Sequence, residues 1–300
     1  MQEIDKIIEK FIKDLDYEPI QTMFARIKAG KRLRSKLIIA IAQGKADERQ
    51  MFKLCAIVEL IHLASLLHDD IIDEAQIRRG AKSINAEFGA KNALMLGDIL
   101  YSQAFAELTN FAKPVAFSIA NAVAKLAKGE LMDIELSKRF NTDEKAYQTM
   151  IEHKTAALIE ASAFCAAHLA GLDERAFGEY GKNLGLAFQI VDDILDVKND
   201  EKTLGKPAMS DFKEGKTTLV YINLFKELNY NDKQILKNLF KKDLNADELA
   251  WLKGKMNECG AIAKTSKQAR TFALQALEAI KGFENERLNE FINKMIDREF

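Results

Sequence analysis

Proline is scarce in this chain: Pro19, Pro114 and Pro207 are its three in 300 residues. Inside a helix proline removes a backbone donor and clashes with the preceding turn, at about 3 kcal/mol or more. A chain with so few is free to be helical almost throughout. Apolar residues recur at three- and four-residue spacing along most of the sequence, and strict alternation is scarce. The pattern predicts helices over roughly 3–15, 20–28, 32–43, 48–74, 91–109, 114–138, 143–170, 174–198, 217–228, 231–240, 246–257, 261–280 and 284–298. An all-α fold follows, and with no low-complexity linker a single domain over 1–300 is expected. The connections 75–90 and 199–216 are long and polar, and long loops in helical domains tend to be functional.

Composition limits what such a bundle can do. Hydrophobic residues make up 48% of the chain, enough for a large core, and the formal charge of −1 balances 44 basic against 45 acidic residues. No global basic field is present to gather nucleic acid, so any anion must be held by local clusters. Cys55, Cys165 and Cys259 sit among apolar residues and read as unpaired thiols of a reducing compartment. The start, MQEIDKIIEKF, is charged and amphipathic rather than signal-like. The segment 155–172 comes nearest to a membrane span, but Glu160, His168 and its small residues favour a core helix. A cytoplasmic protein without a transmembrane segment is expected.

Two segments carry the chemistry. Residues 66–73 read LLHDDIID and residues 189–196 read QIVDDILD. Each sets carboxylates at i, i+1 and i+4: Asp69, Asp70 and Asp73, then Asp192, Asp193 and Asp196. Positions i and i+4 share a helix face, where like charges cost a few tenths of a kcal/mol. A solvated acidic face is the common explanation for such triplets. Here both follow apolar runs suited to burial, ELIHLASLLH and GLAFQIV. Carboxylates clustered on buried helices need a strong cation to offset their repulsion and desolvation. Oxygen-only clusters suit Mg²⁺ shared with substrate phosphates. Local cations exist as well: Lys31 and Arg34 at a helix start, Arg78 and Arg79 after the first triplet, and His62 two turns before Asp69.

In this ordered series the chain resembles the trans-polyprenyl diphosphate synthases. The likeness spans about residues 28–221. It includes GKRLR at 30–34, LLHDDIIDEAQIRRG at 66–80, GDILYSQAF at 97–105 and GELMDIE at 129–135. KTAALIEA at 154–161, FQIVDDILD at 188–196, GK at 205–206 and KEGKTT at 213–218 complete it. The resemblance implies a helical bundle of the isoprenoid synthase type around a deep central cavity, Mg²⁺ as cofactor, and a homodimer. It also implies a reaction in which an allylic diphosphate ionises and its cation is attacked by the double bond of isopentenyl diphosphate. Proton loss then leaves an allylic diphosphate one unit longer. By the same resemblance Lys31, Arg34, His62 and Arg79 bind isopentenyl diphosphate. Arg78, Lys154, Thr155, Gln189, Lys206 and Lys216 hold the allylic diphosphate, with Lys154, Thr155 and Gln189 also shielding the cation. Asp69, Asp73 and Asp192 carry the metal, and Asp70, Asp193 and Asp196 are auxiliary ligands. Ser35 stands where the family usually has proline, a departure expected to matter little for chemistry.

Ala64 and Ser65 lie five and four residues before Asp69, roughly 6–8 Å along the helix. Short-chain members of the family often carry a bulky aromatic there, so small residues imply an open tunnel and a long product. Octaprenyl length is expected, with geranylgeranyl or farnesyl as the alternative. Phe111 or Phe117 is a candidate tunnel floor, although core packing is the better explanation for either. Other classes fit less closely. A ferritin-like metal bundle needs two Glu-x-x-His elements, and Glu59 to His62 is the single match. A terpene cyclase does not need the second complete triplet, and a non-catalytic regulatory subunit would have lost carboxylates that are all present here. The last eighty residues carry no motif and read as helical packing.

Overall fold

A computed structural model describes residues 1–198, 209–283 and 286–296. The elements are α1 (Gln2–Lys13), α2 (Glu18–Ala25), α3 (Leu33–Ala42), α4 (Glu48–Ile72), a two-stranded antiparallel hairpin β1 (Ile77–Arg78) and β2 (Ala81–Lys82), α5 (Ile84–Phe88), α6 (Ala90–Leu108) and α7 (Lys113–Leu136). Then come α8 (Glu144–Ile151), a π-helical turn (Glu152–Ala156), α9 (Ala157–Ala170) and α10 (Glu174–Lys198). The described remainder holds α11 (Ser210–Lys213), α12 (Leu219–Glu227), α13 (Tyr230–Leu239), α14 (Ala246–Glu258), α15 (Ala261–Ala279) and α16 (Glu286–Ile296). Pro19 and Pro114 both fall in the first turn of a helix, where no intrahelical donor is lost. Asp47 caps α4 by accepting from the Gln50 amide, and Asn245 with Glu248 forms a reciprocal capping box on α14.

Expectation and structure differ in three places. The continuous helix expected over 143–170 is interrupted by the π turn, which the apolar pattern does not register. The 75–90 connection contains the hairpin and α5, and the 199–216 connection contains α11.

The chain forms two compact units, one of Met1–Leu126 with Leu158–Gly181, the other of Ala127–Ala157 with Lys182–Phe300. In the first, α4 packs against α1, α3 and α6. Leu37, Ile38 and Ile41 of α3 and Leu54, Ile57, Leu60 and Ile61 of α4 are buried at 1% exposure or less. This enclosure explains why α4 is apolar nearly all round. Among the described residues α4, not 155–172, is the helix long and apolar enough to cross a membrane, and most of it is buried inside the protein. In the second unit Tyr147, Ile190, Ile194, Phe212, Tyr221, Leu224 and Leu252 belong to one core. Phe212 stacks on Tyr221 with ring centroids 4.3 Å apart, which ties α11 to α12. The motif-free C-terminal region is helical, with α12 and α14 packed on α15. Cys55 and Cys165 are buried, Cys259 is half-buried, and all three are free thiols.

Candidate active site

The first aspartate triplet sits at the C-terminal end of α4. Its three carboxylates have different surroundings: Asp69 is half-buried, Asp70 is buried and Asp73 is exposed. Asp73 follows the last helical residue, and its amide donates to the Asp69 carbonyl at 2.8 Å. The expected burial thus applies to Asp70 rather than to the pair at i and i+4. The Asp70 carboxylate accepts from Arg78 Nε at 2.6 Å, and Arg78 Nη2 joins the same oxygen. Its backbone carbonyl accepts from Asn85 Nδ2 at 3.1 Å and from the Ala75 amide at 2.9 Å. Asp70 therefore holds the 75–85 connection closed on the helix end.

In the other unit the second triplet lies near the end of α10. Asp192 is half-buried, while Asp193 and Asp196 are each 3% exposed. Asp193 accepts from Gln189 Nε2 at 2.9 Å and from the Tyr147 hydroxyl. Burial, and then the nearby Asp211 charge, push its carboxyl well above the ordinary range. Asp196 accepts from Ser210 Oγ at 2.9 Å and the Asp211 amide at 3.3 Å, and its carbonyl from the Met209 amide at 3.0 Å. It thereby fixes the start of α11.

Gln189 extends this network, accepting from Thr155 Oγ1 at 2.7 Å. Thr155 and Lys154 both lie in the π turn, a distortion common at functional sites. Lys154 Nζ meets Glu130 at 2.8 Å and Asp133 at 2.6 Å, both on α7. Gly129 makes this approach possible, because a Cβ there would stand 2.3 Å from the Lys154 backbone nitrogen. Lys216 is partly buried and pairs with Glu214 at 2.7 Å. Lys206 lies outside the described residues.

The cations expected to bind isopentenyl diphosphate converge in the first unit. Burial pulls the Arg34 guanidinium down to about 10, and Glu59 is the charge opposing that shift. Burial, then the charges of Arg34, Arg79 and Arg78, hold His62 well below its usual value, so it is neutral near pH 7. The charges of three guanidiniums thus act on one imidazole. Arg79 adopts a left-handed backbone, φ 54°, and donates Nη1–H to the Lys28 carbonyl at 2.6 Å. Its guanidinium lies over Gly30, where a Cβ would come within 2.4 Å. Arg79 and Gly80, at φ 54° and 70°, form the two-residue loop of the β1–β2 hairpin, where left-handed backbone at both positions matches the twist of the strands. A cavity of about 30 Å³, one water in size, lies among Lys28, Asp70, Arg78, Arg79 and Lys82. Lys31 is exposed at the edge of the same segment.

Of the tunnel positions, Ala64 is fully enclosed at 0% exposure. Ser65 is partly buried, with its hydroxyl donating to the His62 carbonyl at 2.9 Å. Phe117 is 69% exposed, which removes both readings given to it, floor and core. Phe111 is half-buried. Sequence reading missed Tyr147, 46 residues from the carboxylate it serves, and gave no role to Glu59, Asn85, Glu130 or Asp133. GELMDIE held a signal for the last two, since adjacent carboxylates on a helix need a cation.

The all-α fold is that of the isoprenoid synthases. It matches octaprenyl pyrophosphate synthase from Helicobacter pylori with a TM-score of 0.95 and 44% identity, over 99% of this chain and 98% of that one. In sequence the chain is 38% identical to the geranylgeranyl diphosphate synthase of Sulfolobus acidocaldarius, over 78% of this chain and 74% of that protein. It is 32% identical to the octaprenyl diphosphate synthase of Escherichia coli K12, over 84% and 80% respectively. A family model described as "Polyprenyl synthetase" matches residues 17–254. The chain belongs to the polyprenyl synthetase family. Its activity is accordingly that of a trans-prenyltransferase.

Proposed function

We propose that the chain condenses isopentenyl diphosphate head to tail with an allylic diphosphate, needs Mg²⁺, and makes a long, octaprenyl-like product. The observation that carries this reading is the convergence of Arg34, Arg78 and Arg79 on a neutral His62, on the helix that ends in Asp69. Such local positive charge supports diphosphate binding at that end of the first unit, Arg34 and Arg79 toward isopentenyl diphosphate and Arg78 toward the allylic one.

The carboxylates fit Mg²⁺ in a particular way. Among the described residues no group of three His, Cys, Asp or Glu side chains is arranged to hold a metal unaided. Mg²⁺ keeps several waters and commonly takes one or two carboxylates together with substrate phosphates. Asp69 and Asp73 at one site, and Asp192 at the other, supply such partial sets. The buried Asp70, Asp193 and Asp196 hold the protein around them. When bound, the metal would offset charge growing on the departing diphosphate. Lys154, set by Glu130 and Asp133, would meet the same charge. Thr155 and Gln189 would orient their dipoles toward the allylic cation. The allylic carbon–oxygen bond breaks, the isopentenyl double bond supplies the new carbon–carbon bond, and the released diphosphate takes the proton.

Ser65, one turn before Asp69 and small, supports a long product; Ala64 supports it less because it is enclosed. Exposed Leu94, Met95 and Phe105 of α6 and Phe117 of α7 support a homodimer, since such apolar surface is usually covered by a partner. A cytoplasmic location agrees with the free thiols. Purified protein given labelled isopentenyl diphosphate, farnesyl diphosphate and Mg²⁺ should form octaprenyl diphosphate, and chelator should abolish turnover. Cyclised hydrocarbon, no consumption of isopentenyl diphosphate, or full turnover in chelator would overturn the reading.

A further inference from the structure

In the second unit a cavity of about 700 Å³ opens between the end of α10, α14 and the first half of α15. That is room for a small organic molecule rather than for a few waters. Val197, Met256 and Ile262 give it an apolar floor, the first two at 2% exposure or less. Every charged residue that lines it is a cation: Lys198, Lys253, Lys267 and Arg270. The whole chain balances 44 basic against 45 acidic residues, so this is a local segregation of charge. Other lysines of the same helices are paired: Lys255 of α14 with Asp232 at 3.2 Å and Glu258 at 3.1 Å, and Lys264 of α15 with Glu227 at 2.6 Å. Among the described residues neither Lys253 nor Lys267 has a carboxylate partner. The cavity is also separate from the aspartate triplet that precedes it on α10. Asp196 turns its carboxylate to Ser210 and the Asp211 amide, and neither residue lines the cavity.

An apolar floor beneath ammonium groups suits a ligand of both characters, an anionic head on an apolar chain. A trans-prenyltransferase takes up and releases molecules of that kind. We propose that this cavity is a second, non-catalytic site for a prenyl diphosphate, its chain on Val197, Met256 and Ile262 and its diphosphate on Lys253 and Lys267. The identity of the ligand rests on the reaction proposed above. A merely solvated basic face would bind the head group alone as well as the whole molecule. It would also be indifferent to a side chain that fills the cavity.

Calorimetric titration of the full chain with a farnesyl diphosphate analogue in Mg²⁺ tests this, beside turnover of farnesyl and isopentenyl diphosphates. The parent should bind one equivalent more than a variant carrying both Lys253→Gln and Lys267→Gln, and that variant should keep its turnover. Ala263→Phe, which fills the cavity mouth and leaves its charge, should weaken the extra equivalent at least about tenfold. Inorganic diphosphate should compete for it at least about tenfold more weakly than the farnesyl analogue, because it gains nothing from the apolar floor. Equal stoichiometry in parent and double variant, unchanged binding in Ala263→Phe, or equal competition by inorganic diphosphate would overturn the proposal. Lost turnover in a folded double variant would do so too, by placing the lysines in the catalytic site. If the parent consumes neither substrate, the reading of the reaction fails. If it turns over yet binds no extra equivalent, the second site alone fails.

Discussion

In the first aspartate triplet the buried carboxylate, Asp70, meets a cation; in the second, the buried Asp193 meets a tyrosine and a glutamine. The third carboxylates differ as well. Asp73 is exposed past the end of its helix, whereas Asp196 is a buried strut under α11. The same spacing therefore serves two kinds of wiring. Around α4 the protein neutralises its own buried charge with Arg78. Around α10 it leaves that charge to neutral donors, and the carboxyl is driven toward its protonated form. What the two triplets share is their first residue. Asp69 and Asp192 are both half-buried, and both are the carboxylates proposed above to hold the metal.

The largest effect should come from those two positions. Asp69→Ala and Asp192→Ala should each lower kcat by at least about 10²–10³-fold, the scale of losing one electrostatic stabiliser of the transition state. Circular dichroism should show the helices intact. Near-normal turnover in either would return that carboxylate to an ordinary solvated face.

A smaller effect separates the buried pair. Arg78→Ala leaves Asp70 at 5% side-chain exposure without its cation and should cost roughly 1–3 kcal/mol of stability. Tyr147→Phe should cost less, because Asp193 can stay protonated and keeps Gln189. Thermal melts compare the two. A costlier Tyr147→Phe would mean that Asp193 is a charged group after all.

The chain-length positions give a change in product rather than rate. Ser65→Phe should shorten the main product while the first condensation survives. Ala64→Phe should overpack the core, at about 1–3 kcal/mol, with little change in length. Chromatography of the products beside a melting curve separates these outcomes, and shortening by Ala64→Phe alone would show that the tunnel runs along the other face.

The smallest effect concerns acid stability. His62 is held neutral in the folded chain, below its usual value, so the unfolded chain takes up the proton first. Stability should accordingly be lost as pH falls below about 6.5, and His62→Gln should flatten that part of the profile. An identical slope in the variant would place the acid lability elsewhere.

The helices and both triplets were legible in the sequence because they rest on local signals: few prolines, apolar spacing, and carboxylates after apolar runs. Which carboxylate of each triplet is buried was not legible. That depends on partners far along the chain, Arg78 eight residues away for Asp70 but Tyr147 forty-six away for Asp193. The π turn escaped for a related reason. One extra residue in a turn leaves the apolar pattern readable, and Gly129, which leaves room for that turn, lies on another helix.

Calorimetric titration of a non-hydrolysable allylic diphosphate analogue in Mg²⁺ tests the division of labour directly, with Asp69→Ala, Asp192→Ala and Asp193→Asn measured side by side. If the half-buried carboxylates hold the metal and the buried ones hold the protein, the first two variants should lose Mg²⁺-dependent binding. Asp193→Asn should bind close to the parent protein. Equal loss in all three would contradict the account and make Asp193 a metal ligand like its neighbour.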